Sequence, residues 1–222
     1  MKKVWLFSLA AALVALSPAG SQAADTVPLN LKLPAHTTKG TPEDLPSGPN
    51  IEPPPKTAPA PIQVPNGVKN VATGKTVTSS VAPYTGELTQ IVDGKREPID
   101  EDVVEFKRGT QWVQVDLGEQ QEIHAIAFWH DHRLLQAFHD TIVQVSNDPE
   151  FKDGVTIVYN NDTDNSSKLG VGTDREYFEL EFGRVVPVKG VKARYVRGYT
   201  KGSTLSAINC WQEIEVYALP AK

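Results

Sequence analysis

Four of the chain's five histidines, His124, His130, His132 and His139, fall within 16 consecutive positions. His130-Asp131-His132-Arg133 follow directly on the apolar stretch Ile123–Trp129. If that stretch is a strand, His130 and His132 point to the same side. Paired imidazoles suit zinc or copper, but no third ligand is evident. The same four residues also suit a hydroxyl-rich ligand. They offer donors, one carboxylate acceptor and a planar guanidinium that can fork two oxygens. A sugar further needs an aromatic ring under its apolar face, and Tyr84 and Tyr199, near expected loops, are the candidate platforms. The bland alternative stays open, in which these are polar groups packing a long loop.

Other chemistry is thin. Asp162-x-Asp164-x-Ser166 begins like a calcium loop of the EF-hand kind, but Ser167 stands where glycine is required and Thr173 where the bidentate glutamate belongs. It reads as a polar loop. Cys210 is the only cysteine, so neither a disulfide framework nor a cysteine zinc site is available. Its apolar neighbours give it no sign of an activated thiol. No G-x-S-x-G, H-E-x-x-H or paired-carboxylate pattern is present, and an enzyme is not expected.

The elements that must position these residues are short strands. Val113, Val115 and Leu117 alternate on one face. Val143 and Val145 precede an Asn147-Asp148-Pro149 turn. Phe178, Leu180 and Phe182 alternate with Glu179 and Glu181, and Ile214 and Val216 with Glu213, Glu215 and Tyr217. Ile123–Trp129 is apolar on both faces, as a central strand is. No long window carries a capped helical period, so residues 67–222 are expected to form one β-sandwich.

The chain has 222 residues and a formal net charge of −5. That balance argues against a nucleic-acid partner, which needs a basic face. Lys2-Lys3, the apolar run Val4–Leu16 and small residues up to Ala23 form a secretory signal pattern over residues 1–23. Its apolar run is too short to span a membrane. The mature chain is expected to be exported, to a periplasm or to the extracellular medium. Residues 24–66 hold 11 of the 17 prolines and no aromatic residue. They are expected to be a disordered, polyproline-rich linker.

Six pieces then occur in a familiar order: NVATGKTVTSS at 70–80, IVDGK at 91–95, WVQVDLGEQQEIHAIAFW at 112–129, TIVQVSND at 141–148, ARYVR at 193–197 and QEIEVYA at 212–218. Together they resemble the discoidin, or coagulation factor 5/8 type C, domain of the galactose-binding-like superfamily. The resemblance covers nearly all of 67–222. It implies an all-β antiparallel jelly-roll sandwich of about eight strands. It implies a non-catalytic binding module whose partner is a carbohydrate or surface glycan, held by loops at one end. A protein-binding or cell-adhesion module on the same fold is the alternative. The resemblance also implies a structural Ca²⁺, with carboxylates from Asp93 and Glu213 and carbonyls from Ile91, Lys95 and Gln212. Pro98 stands where the family usually has a serine or threonine ligand, so an ion-free loop with Asp93 as a turn former is the competing reading.

Overall fold

The computed structural model describes residues 25–36, 45–99 and 102–219. The expected signal peptide, residues 1–23, lies outside them. The described residues contain eleven strands, one short 3-10 helix over Leu88–Val92 and no α-helix.

Two long strands organise the domain. The strand β6 (Gln111–Trp129) is antiparallel to β9 (Arg184–Thr200) along most of its length. Both change register in the middle. The pairing runs from Gln111 to Asp116, breaks, and resumes at Gln121. Gly118 sits at the break with φ of +88°, and its N–H donates to the Asp116 carboxylate at 2.8 Å. Glycine meets that backbone geometry without a Cβ clash. Asp116-Leu117-Gly118 therefore interrupts the pairing without ending the strand.

One strand thus serves two regions of the sandwich. The first half of β6 also pairs with β4 (Thr76–Ser79), and its second half with β11 (Glu213–Leu219). Beyond β11 lies β3 (Lys69–Asn70), which brings the domain's first and last strands together. On the far side of β9 come β7 (Ile142–Ser146) and β8 (Thr156–Asn160). A separate pair, β5 (Val104–Phe106) with β10 (Asn209–Trp211), lies toward the loops.

The alternating residues close on one core. Val113, Val115, Leu117, Ile126, Phe128, Val143, Val145, Val196, Ile214 and Val216 are all buried in it, with Trp211. Burying such a side chain stabilises the fold by about 1.5–3 kcal/mol. Gly198 is needed where the Trp211 ring crosses β9, because a Cβ there would lie 2.5 Å from the ring.

Two expectations need correction. Residues 177–182 are not a strand. Phe178 makes only an isolated bridge to Ala137, and Glu179, expected to face outward, is fully buried. Its partner inside the protein, described below, accounts for the inversion. The described part of the Pro-rich segment is also not a detached linker. Its β1 (Thr26–Pro28) pairs with β2 (Gln63–Pro65), Val64 is 1% exposed, and Ile51 bridges to Glu176. Few apolar residues suffice there because extended backbone and ion pairs supply the remaining contacts. Among the described residues no helix is long and apolar enough to cross a membrane.

Candidate functional site

Past Trp129 the chain leaves β6 and enters the loop that carries the histidines. His130 has no exposed surface. Its ring stacks on Phe138 at 4.3 Å and tilts against Trp211 at 4.4 Å. Its Nδ1 lies 2.8 Å from the Glu179 carboxylate, which explains why Glu179 turns inward. His132 is also fully buried, and its Nε2 donates to the Arg96 carbonyl at 2.9 Å. Both are buried but in different surroundings, His130 among Phe128, Phe138 and Trp211 and His132 against the loop that carries Arg96. Neither offers surface to a sugar or to a solvent-borne metal. His130 Nε2 and Glu179 Oε1 are buried without a hydrogen-bond partner.

Asp131 and Arg133 take the outer side. Arg133 forks its neighbour's carboxylate, with Nε donating to Oδ1 at 2.9 Å and Nη2 to Oδ2 at 2.8 Å, while its own N–H donates to Oδ1 at 3.0 Å. Burial raises the Asp131 pKa. The Arg133 N–H and the His132 charge pull it down, and the charges of Glu105 and Glu179 push it up.

Glu105 links this pair to Tyr84. It lies on β5, opposite Cys210 of β10, and exchanges backbone bonds with the Tyr84-Thr85 segment: Tyr84 N–H to Glu105 carbonyl at 3.1 Å, Glu105 N–H to Thr85 carbonyl at 3.0 Å. The Glu105 carboxylate also acts on the Tyr84 hydroxyl. Burial, followed by the charge and bond of Glu105, raises its pKa. The ring itself is 54% exposed. In this patch the Tyr84 and Glu105 backbones are bonded to each other, and the Glu105 charge acts on Asp131, which Arg133 forks.

The rim is tied down. Gln136 Nε2 donates to the Asp131 carbonyl at 2.9 Å, Ser203 Oγ donates to Gln136 Oε1 at 2.7 Å, and Ala137 and Thr204 exchange bonds of 3.1 and 2.9 Å. Leu134 and Leu205 stand exposed on these two loops.

Of the sequence candidates, Tyr84, Asp131 and Arg133 belong to this patch. His130 and His132 lie beneath it. Tyr199 does not join it. It is 6% exposed on β9, and its hydroxyl accepts from Arg197 Nη1 at 3.3 Å. Glu105, Gln136 and Ser203 were not legible, because only the β5–β10 pairing and the loop-to-loop bonds bring them in. Cys210 is buried, and burial pushes its thiol well up, as expected for an inert cysteine.

The expected cation loop crosses the outer face of β11. Glu213 is fully buried and accepts the Gly94 N–H on both oxygens at 3.2 Å. Burial, with the charge of Glu215 next, raises its pKa to about 9. The Arg96 guanidinium engages Glu215 and lies over the Trp129 ring at 5.3 Å. Two buried carboxylates therefore lie beside one partly buried guanidinium, which bonds Glu215 and whose charge acts on Glu213. Gln212 Nε2 gathers the carbonyls of Lys95, Glu97 and Asp102 at 3.3–3.4 Å, and its Oε1 is buried with no hydrogen-bond partner. These features fit an oxygen-lined cation site, since calcium takes carboxylate and carbonyl oxygens. Asp93 fits less directly. Its Oδ1 accepts the Lys95 N–H at 2.8 Å and its Oδ2 lies 3.5 Å from Lys95 Nζ, the posture of a turn former. Ile91 is buried in the core, and Pro98 is buried in the loop.

A second acidic group could hold a metal. Carboxylate oxygens of Asp140, Asp162 and Asp164 all lie within 4.8 Å of one another. The hydroxyls of Ser166 and Ser167 donate to Asp140 and Asp162, and the Ser166 N–H donates to Asp162 and Asp164 at 3.0 and 2.9 Å. Asp162 and Asp164 thus act within the polar loop expected of 160–167. Asp140, from the preceding loop, was not anticipated.

Residues 90–197 match the F5/8 type C family described as NedA-like, galactose-binding domain. No curated protein matches the chain. Among solved structures, CpGH89CBM32-4 of Clostridium perfringens, in complex with GlcNAc-α-1,4-galactose, superposes with a TM-score of 0.51 at 14% identity, over 70% of this chain and 97% of that one. A family 89 glycoside hydrolase of the same organism, in complex with PUGNAc, gives 0.50 at 18% identity, over 69% of this chain but only 16% of that enzyme. At these identities the likeness is one of fold.

Proposed function

We propose, from the match of residues 90–197 to the F5/8 type C galactose-binding family, that this chain is an exported, non-catalytic module that binds carbohydrate at the Tyr84–Arg133 patch. One observation carries the reading. The exposed Tyr84 ring stands on a segment whose backbone is bonded to that of Glu105, and the Glu105 charge acts on Asp131 of the Asp131–Arg133 fork. The ring offers a stacking face for the apolar side of a pyranose. The two carboxylates accept hydroxyl protons, and the guanidinium donates to hydroxyl oxygens. Neutral hydrogen bonds contribute only about 0.5–1.5 kcal/mol each. A single site is therefore weak, in the millimolar range, and strengthened in use by multivalency. The solved CpGH89CBM32-4 complex holds a galactose-containing disaccharide, and ligands of that class are the first to test.

Calcium has a structural place in this reading, at Glu213 and the carbonyls around Gln212. There it would supply the positive charge that the Glu213–Glu215 pair shares only with Arg96. The signal pattern of 1–23 supports export to a periplasm or the medium. The domain proper is taken as 67–222, with the described Pro-rich residues fastened to it.

Glycan-array binding of the full chain tests the proposal. Selective hits that vanish in Arg133→Ala and Tyr84→Ala support it. An array without hits, together with specific capture of a protein, favours the adhesion module.

A further inference from the structure

Residues 50–55 lie against the domain as an extended peptide lies in a recognition groove. The main chain is read first. Ile51 makes a parallel bridge to Glu176: the Glu176 N–H donates to the Asn50 carbonyl, and the Glu52 N–H to the Glu176 carbonyl, each at 2.8 Å. The Arg175 guanidinium donates to the Ile51 carbonyl.

Consecutive side chains are read next. Ile51 is 8% exposed and packs on Ala137 and Phe178. Glu52 is forked by Arg184, with bonds of 3.0 and 2.9 Å. That guanidinium lies over the rings of Tyr159 and Tyr177, at 5.2 and 5.0 Å. Pro53 and Pro55 then border a cavity of about 100 Å³ walled by Tyr177, Phe178 and Phe182. In strand-addition recognition, main-chain bonds supply affinity and side-chain pockets supply selectivity. Both occur here within four residues. Between 45 and 66 the only large apolar residues are Leu45, Ile51, Ile62 and Val64, so Ile51 is a specific anchor in a segment otherwise poor in such groups.

We propose that Arg175, Glu176, Phe178 and Arg184, with Ala137, form a peptide-recognition groove for an extended apolar–acidic–proline segment, and that Asn50–Pro53 is its resident occupant in cis. The groove does not depend on what the Tyr84–Arg133 patch binds. It shares with that patch only the loop that carries Arg133 and Ala137. A tethered occupant acts at an effective concentration on the order of millimolar. A free peptide of the same sequence therefore competes poorly until the tethered copy is disabled.

The test uses the full chain and a fluorescent peptide with the sequence of residues 47–56. In the variant Ile51→Asp with Glu52→Ala, the peptide is expected to bind saturably and at least about tenfold more tightly than to the unaltered chain. Adding Arg184→Ala removes a charge-assisted fork and is expected to weaken that binding about tenfold or more. A peptide carrying Ile51→Asp is expected not to bind. Equal binding to both chains, or none to a variant whose circular dichroism is unchanged, overturns the proposal. If the variant does not fold, amide exchange in the unaltered chain decides. The Glu52 and Glu176 amides are expected to be protected and to lose protection in Arg184→Ala. Exchange at the free-peptide rate in the unaltered chain overturns the groove.

Discussion

Glu213 offers the sharpest test of the cation loop. Its carboxyl has no exposed surface, and burial with the Glu215 charge lifts its pKa from an ordinary 4.5 to about 9. A carboxyl raised in this way favours folding in its neutral form. That contribution is complete below about pH 4.5 and is lost as pH rises toward 9. One pKa unit is worth about 1.36 kcal/mol, so between pH 5 and 8 this group alone costs up to about 4 kcal/mol, and about 3 kcal/mol by pH 7. Glu213→Gln keeps the shape and one acceptor for the Gly94 N–H but cannot ionise. In chelator at pH 8 the variant is therefore expected to melt above the unaltered protein, by roughly 8–16 °C at about 2–4 °C per kcal/mol. Calcium narrows the gap. A cation bound only to the native state adds about 2.7 kcal/mol at a hundredfold excess over its Kd, and the amide forfeits most of that gain. Thermal melts at pH 5, 6.5 and 8, in chelator and in calcium chloride, read both effects. A flat pH profile for the unaltered protein in chelator refutes the electrostatic argument. An equal calcium response in the variant refutes the ligand role.

Gly198→Ala places a methyl 2.5 Å from the Trp211 ring. Overpacking is expected to cost about 1–3 kcal/mol, read as a lower urea midpoint with an unchanged slope. His130→Ala leaves the Glu179 carboxylate buried without its partner and is expected to cost about 3–5 kcal/mol. Arg133→Ala, on the partly exposed side of the same loop, is expected to remove sugar binding while leaving the melting temperature nearly unchanged. The Glu176 bond raises the His139 pKa against burial, which lowers it. The pair's contribution is thus present below about pH 6.5 and fades as pH rises past the raised value. An NMR titration of His139 is expected to move back toward the ordinary range in Glu176→Gln.

The sandwich was legible where alternation follows the pleat. Val113, Val115 and Leu117, and Ile214 with Val216, are buried as their spacing requires. The apolar stretch Ile123–Trp129 does lie centrally, between β11 and β9. The same rule misread 177–182, because alternation in an irregular segment does not fix which side meets the core. There the buried His130 draws Glu179 inward. Residue type likewise could not reveal that His130 and His132 turn under the loop while Asp131 and Arg133 stay above it. Glu105 was invisible to sequence reasoning, since nothing in Val104-Glu105-Phe106 announces Tyr84 or Asp131 as neighbours. Composition misjudged the Pro-rich segment for a related reason. It measures how little apolar bulk is present, not that Ile51, Glu52 and Val64 each meet a prepared partner.

The central claim, carbohydrate binding at the Tyr84–Arg133 patch, is tested most directly by NMR titration of the full chain with galactose, N-acetylglucosamine and a disaccharide of the two. The expected result is saturable shifts, in the millimolar range, clustered at Tyr84, Glu105, Asp131 and Arg133, with the buried His130 and His132 responding only through their neighbours. Saturable shifts centred elsewhere, or none at sugar concentrations well above millimolar, would contradict the account.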